Sequence, residues 1–298
     1  MHVRQALLAY RDRRLSNQRR GEATYRSLSL FLEPVADEEL DALSTEILAN
    51  LIERMAANAP VHARRVRAYA APFLAWARGQ GLIIADPLSP LAGPRPEARR
   101  DRRLDLEEIR SVWLAAGKLG YPFGAAIGVL LLTAAYRDEV GALRVSELTR
   151  PGPSDWVWRP RFRSISQNVP EIPLPTAAAR LIEESLERRP PGSDFVFTTT
   201  GVTAISGWSR AKRRLDRLIA RRRSPELLPA PWRLNDLRSS FAALAANVLA
   251  IDSLVIERCL GRVSGYANPV AKEWAHSEAM RGEHRLALER WAELVTAN

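Results

Sequence analysis

The chain is 298 residues long, 46% hydrophobic and 26% charged, and carries a formal net charge of +10. That length suits two domains of ordinary size; no apolar run approaches the ~18 residues of a membrane span, and the single cysteine, Cys259, excludes an internal disulfide or a cysteine-rich zinc site. A positive balance of this size attracts polyanions, of which nucleic acid is the commonest in a cytoplasm.

The first residues, Met1-His2-Val3-Arg4-Gln5, run into a mixed helical pattern with no apolar leader segment, which makes the cytoplasm the expected location. Residues 22–32 predict a helix, with Tyr25, Leu28, Phe31 and Leu32 at helical spacing. Residues 45–55 predict another, behind the N-cap candidate Ser44, with Ile47, Leu48, Leu51, Ile52 and Met55 on one face. A third spans 61–78, with Val66, Tyr69, Phe73 and Trp76 on its apolar side and Arg64, Arg65, Arg67 and Arg78 on the other. An arginine face of this kind either lies across phosphates or is simply solvated. Residues 86–103 contain Pro87, Pro90, Pro94 and Pro96 together with the basic run Arg99, Arg100, Arg102 and Arg103, so they break helices. The domains read as a helical one over 1–92, a basic linker over 93–104 and a second domain over 105–298.

In the second domain, residues 105–116 and 124–135 predict helices, the latter apolar enough to be buried. Trp156-Val157-Trp158 and residues 172–174 predict short strands of a hairpin or small sheet, and 194–198 another short strand. Residues 176–188 read as a helix, and 207–222 as a strongly basic one with Arg210, Lys212, Arg213, Arg214, Arg217, Arg221 and Arg222. Helices over 232–249, 253–260 and about 282–295 complete a mainly α chain with a small β-sheet. The basic residues are nearly all arginine, lysine occurring only at 118, 212 and 272. Arginine grips phosphate bidentately, but a GC-rich genome also replaces lysine by arginine, and composition leaves both explanations open.

Several stretches carry a resemblance. Residues 61–87 end in ARGQGLIIADP; Arg103-Leu104-Asp105-Leu106-Glu107-Glu108-Ile109 follows; then come Leu131-Leu132-Thr133 through Glu139 and Leu143-Arg144-Val145-Ser146-Glu147-Leu148. Glu171-Ile172-Pro173-Leu174-Pro175, Asn235-Asp236-Leu237-Arg238 with Phe241, and Leu260-Gly261-Arg262 complete the series, before the tail EHRLALERWAEL. In this order and spacing they resemble the tyrosine recombinases, the phage-integrase family, over essentially the whole chain. The resemblance implies a helical, SAM-like core-binding domain followed by a tyrosine-recombinase catalytic-type domain.

In that family a tyrosine hydroxyl attacks the scissile phosphate, two arginines grip its oxygens, a hairpin lysine protonates the leaving oxygen, and two further histidine-type positions assist. Carried over residue by residue, the first arginine falls on Tyr136, with Arg137 about 100° away if the two share a helix. The hairpin lysine has no counterpart, since no lysine occurs between 118 and 212, and the neighbouring Arg161 and Arg163 are poor proton donors. The "HxxR" histidine is Asn235, its arginine is retained as Arg238, and the "LGH" histidine is Arg262. The nucleophile position falls on Trp274, whose indole has no oxygen to attack phosphorus.

The resemblance therefore implies a sequence-specific double-stranded DNA-binding protein that does not cut DNA, serving as a transcriptional regulator of a phage or mobile element. Alternatives are an accessory or architectural subunit of a recombination complex, and an active recombinase with a relocated nucleophile. The DNA contacts expected are Arg64, Arg65 and Arg67, then Arg99, Arg100, Arg102 and Arg103 in the linker. Arg161 and Arg163, Arg210, Lys212 and Arg213, and finally Arg238 and Arg262 complete the expected set. No metal or cofactor is expected; the partners are DNA and either further copies of the chain or an active recombinase, with no membrane, in the bacterial nucleoid. The terminal helix either packs in cis or docks onto a neighbouring protomer.

Overall fold

Apolar residues recurring every three or four positions dominate the sequence, and in the computed structural model that pattern is realised as helix. The structure describes residues 1–18, 21–91, 102–152, 155–161, 171–221, 231–262 and 277–297. The chain divides into two units, Met1–Arg99 and Arg100–Asn298, each with its own core.

In the first unit α1 (Val3–Tyr10) runs into a π-helical turn, Arg11–Leu15, and is followed by α2 (Gly21–Leu32), α3 (Thr45–Asn58) and α4 (Pro60–Gly79). Ser44 caps α3 as its sequence predicts, Oγ accepting from the Ile47 amide at 3.2 Å. Leu48 is the residue of that helix that is buried, while Ile47, Leu51, Ile52 and Met55 are half-buried against the core. Pro60 occupies the first position of α4, where its missing N–H breaks no helical bond. That helix buries Ala63, Val66, Ala70, Phe73, Leu74, Trp76 and Ala77. Tyr10, Phe73 and Trp76 form an aromatic cluster with centroid separations of 5.4, 5.3 and 6.3 Å.

The second unit comprises α5 (Leu106–Leu119), α6 (Phe123–Thr133), α7 (Arg137–Gly141), α8 (Thr176–Arg188), α9 (Trp208–Ala220), α10 (Asp236–Asn247), α11 (Ser253–Cys259) and α12 (Glu278–Thr296). Helix α5 opens on a reciprocal cap: Asp105 Oδ1 accepts from Glu108 N at 2.8 Å, and Glu108 Oε2 accepts from Asp105 N at 3.0 Å. Helix α6 is buried from Ala126 to Thr133 and forms the centre of the unit. Gly124 lets it approach α5, because a β-carbon there would overlap the Ala116 carbonyl oxygen, and one at Gly128 would lie 2.6 Å from Leu181. Three short strands, β1 (Leu148–Thr149), β2 (Val157–Trp158) and β3 (Ile172–Pro173), pair antiparallel in that order. The fully buried Trp158 donates from Nε1 to Glu147 at 3.1 Å.

Helix α12 packs in cis. It buries Met280, His284, Ala287, Leu288, Trp291, Ala292 and Val295, and Trp291 donates to the Leu131 carbonyl at 2.9 Å while meeting Phe241 edge-on at 5.3 Å. Arg110 donates twice to the Leu294 carbonyl, at 3.2 and 3.1 Å, and Glu289 accepts from the Thr176 amide at the start of α8.

Four boundaries differ from the sequence reading. Residues 194–198 do not form a strand: Phe195 makes a single bridge to Arg144, and the Asp194 carboxylate instead accepts from Ser146 N and Arg144. Helix α6 ends at Thr133, because Ala134 adopts a left-handed conformation with φ 50°. Helix α10 starts at Asp236, whose side chain holds the preceding turn through the Arg233 amide. Helix α12 starts earlier than expected, behind the cap Ser277, since a helix tolerates Gly282 at a modest cost. The end of the stretch read as linker also packs: Leu104 is 2% exposed and its amide donates to Ser240 at 2.7 Å. Among the described residues no helix is long and apolar enough to cross a membrane.

Two substitutions test this backbone reading in opposite senses. Gly124→Ala forces α5 and α6 apart and is expected to lower the unfolding free energy by about 1–3 kcal/mol. Ala250→Gly relieves a positive φ of 49° at an exposed position and is expected to raise it by roughly 0.5–1 kcal/mol. Urea unfolding of the two variants beside the parent measures both.

Candidate nucleic-acid interface

Helix α9 separates its residues by face. Ala211, Leu215 and Ile219, four residues apart, are buried, while Arg210, Arg213, Arg214, Arg217 and, just beyond its end, Arg221 are exposed. The apolar stripe fixes the helix to the core, and the arginines project from the opposite side. Lys212, expected among the DNA contacts, is placed differently. Its ammonium meets both Asp216 oxygens, at 2.6 and 2.8 Å, and lies 3.8 Å from the Trp232 ring centroid. Burial pushes the Lys212 ammonium below the usual lysine range, against the upward pull of Asp216. This lysine is held by its own neighbours.

Other expected contacts divide the same way. Arg65 is exposed on α4, whereas Arg67 turns back and donates to the Leu91 carbonyl at 2.6 Å. Arg64 is half-buried. Arg102 pairs with Glu108, which is 7% exposed, and so braces the start of α5; Arg103 beside it is exposed. Arg161 is exposed at the end of the β2 segment, its amide donating to Glu147 at 3.2 Å. Arg99, Arg100 and Arg163 lie outside the described residues.

The positions matched to the recombinase chemistry converge. Arg238 lies in the first turn of α10, and its amide donates to the Asn235 carbonyl at 3.2 Å. Its guanidinium lies 3.6 Å from the centroid of the Tyr136 ring, and it donates to the Ala134 carbonyl and, at 2.6 Å, to that of Leu260. Arg262, two residues beyond Leu260, is exposed and pairs with Glu257 at 3.4 Å. Asn235 is exposed and makes no side-chain cap to α10. Thus Tyr136, Asn235, Arg238 and the 260–262 turn come together. Trp274 lies outside the described residues.

Tyr136 and Arg137 do not share a helix, so the 100° separation does not apply. Tyr136 is extended, with φ −74° and ψ 143°, and precedes α7, its amide donating to Glu139 at 2.9 Å. Arg137, the first helical residue, is exposed and pairs with Asp138 at 2.9 Å. The acceptors of Arg238 were not expected either, since a backbone carbonyl has no signature in a sequence. Among the described residues no cluster of histidine, cysteine and carboxylate side chains is arranged to hold a metal ion.

Arg238 is 4% exposed, and a buried carbonyl deprived of its donor costs about 1–3 kcal/mol. Arg238→Met, similar in length but without a donor, is expected to lower stability by about 3 kcal/mol or more in chemical denaturation.

No family sequence profile matches the chain, and no curated protein matches it either. Solved structures do. A lambda integrase tetramer bound to a Holliday junction is similar with a TM-score of 0.64 and 16% identity, over 90% of this chain and 79% of that one. A lambda integrase dimer bound to a COC' core site gives a TM-score of 0.62 at 16% identity, over 96% and 95% of the two chains. The integrase of the transposon Tn1549, in complex with circular intermediate DNA, gives 0.62 at 14% identity, over 97% and 100%. At such identities the likeness is one of fold, and it spans both units of the chain: this protein has the fold of the tyrosine-recombinase integrases.

Proposed function

We propose that the chain binds double-stranded DNA by sequence without cutting it, and acts as a transcriptional regulator tied to a phage or mobile element. The observation that carries the binding is the exposed arginine face of α9, Arg210, Arg213, Arg214, Arg217 and Arg221, on a helix anchored by its other side. Closely spaced guanidinium groups on a rigid element suit a phosphate backbone, which they contact with charge-assisted bonds. The three similar structures are integrases described in complex with DNA, which favours the same partner for this fold.

The absence of chemistry rests on side-chain identity. Trp274 offers no nucleophilic oxygen at the position matched to the attacking tyrosine, and Asn235 cannot act as an acid near neutral pH. Tyr136 stands where the first phosphate-gripping arginine would, leaving Arg238 as the retained member of the set. Removing one such donor from a phosphoryl- or acyl-transfer site typically costs about 10²–10³ in rate, and here the nucleophile is exchanged as well. The tetrameric and dimeric states named for two of the similar structures favour a second reading, an accessory subunit assembled beside an active recombinase.

A suicide duplex nicked near its binding site separates binding from cleavage. The chain is expected to retain the duplex and form no covalent protein–DNA adduct; an adduct through any side chain overturns the proposal. Genome-wide binding then separates the two roles, promoter peaks indicating regulation and attachment-site peaks an accessory role. If about 6–10 phosphates are contacted, affinity falls about 10³–10⁵ between 50 and 200 mM salt. Arg213→Ala and Arg214→Ala are each expected to reduce the slope of log affinity against log salt by about 0.9, whereas Lys212→Met leaves the slope unchanged. Fluorescence anisotropy across a salt series reads all three.

A further inference from the structure

The retained arginine has an unusual setting for a group matched to a phosphate ligand. A guanidinium offers five N–H donors at its edge and two flat faces. In Arg238 the two terminal nitrogens donate to the carbonyls of Ala134 and Leu260, and one face is covered by the Tyr136 ring at 3.6 Å. With 4% of the residue exposed, little of the guanidinium is left open to an incoming phosphate.

Both carbonyls stand where a helix has ended and lacks an internal donor. Ala134 follows α6 in a left-handed conformation, with φ 50° and ψ 22°, so its carbonyl lies outside the helical ladder. Leu260 closes α11, immediately before Gly261 at φ 62°. Terminal carbonyls of this kind require a donor from elsewhere, and the guanidinium supplies one to each. Arg238 therefore joins the end of α6, the start of α10 and the end of α11. Tyr136 is fixed in turn, because its extended backbone precedes α7 and its amide is held by Glu139 at 2.9 Å. An arginine at 136 would carry a second positive charge and open the site to an anion; a phenol ring instead closes it, through attraction between the ring face and the cation.

We infer that Arg238 is a structural clasp sealed by Tyr136, and that the anion pocket of this fold is closed by the protein itself. DNA phosphates would then be held by exposed arginines, not by Arg238. The inference rests on the non-cutting reading above and deepens it. Substituting tyrosine for Trp274 would not by itself restore a phosphate seat.

The test uses inorganic phosphate and the full-length chain, so it does not depend on knowing a DNA site. Arginine side-chain N–H signals are followed by nitrogen-edited NMR during a phosphate titration at constant ionic strength, the Arg238 signal being assigned by its disappearance in Arg238→Lys. In the parent and in Tyr136→Phe, which keeps the ring, the Arg238 signal is expected to stay in place while those of exposed arginines shift. In Tyr136→Ala it is expected to move with added phosphate. A parent Arg238 signal that follows the phosphate titration overturns the inference, as does one that stays fixed in a folded Tyr136→Ala. Should Tyr136→Ala fail to fold, the parent and Tyr136→Phe arms still decide. A covalent adduct with nicked duplex would sink the proposed function instead, so the two failures are told apart.

Discussion

A positive charge taken almost wholly out of water organises the second unit. Moving an ion into a protein interior costs several kcal/mol unless every donor is met, so the Arg238 guanidinium dictates what surrounds it. The carbonyls of Ala134 and Leu260 must point inward and an electron-rich ring must lie flat against it. Those demands fix where α6 ends, how α7 begins and how α11 turns into the 260–262 segment. The left-handed Ala134 is part of the same arrangement. A residue with a β-carbon adopts that conformation at a cost, which is tolerated where the turn aims a carbonyl at a buried cation.

Burial on this scale requires a rigid frame, and α6 with α12 supplies it. The middle of α6 is apolar on every side, so it is held by being surrounded, and glycines at 124 and 128 let its neighbours come close. Trp291 brings α12 against it with a hydrogen bond to the Leu131 carbonyl, three residues before Ala134. The C-terminal helix thus contributes to the same core that positions the arginine, and its polar links to Arg110, Thr176 and Leu249 tie it to several elements at once. A helix so attached belongs to its own unit.

Much of this was legible beforehand, for identifiable reasons. Ser44 announced its helix because a side-chain oxygen three residues before a free amide is a local signal; the matching cap at Asp105 was not read from the sequence. The range of α8 was readable because Pro175 and the Pro190-Pro191-Gly192 run bracket a clean apolar periodicity. Residues 194–198 misled because a short run of β-favouring Phe195, Val196 and Phe197 satisfies a strand pattern whether or not a partner strand lies alongside, and here Asp194 is occupied with Arg144 and Ser146. Motif order paired Tyr136 with Arg238, whose groups meet. It gave no hint that Arg238 would be spent on carbonyls, since those acceptors belong to the backbone and depend on how two helices end.

The same distinction limits what a net charge says about function. Arg67, Arg102, Arg110 and Arg238 each meet a carbonyl or a carboxylate within their own unit, and Lys212 is divided between Asp216 and Trp232. Such residues raise the formal charge while part of their donor capacity is already engaged within the fold. Arginine is suited to both uses, because one planar group can brace a helix end or grip an anion, and the sequence does not label which. What separates the two is the face on which the residue stands. On α9 the buried stripe of Ala211, Leu215 and Ile219 leaves Arg210, Arg213, Arg214 and Arg217 directed away from the core. Among the described residues, these arginines and others exposed like Arg65, Arg103 and Arg161 are placed differently from the basic residues engaged within the fold.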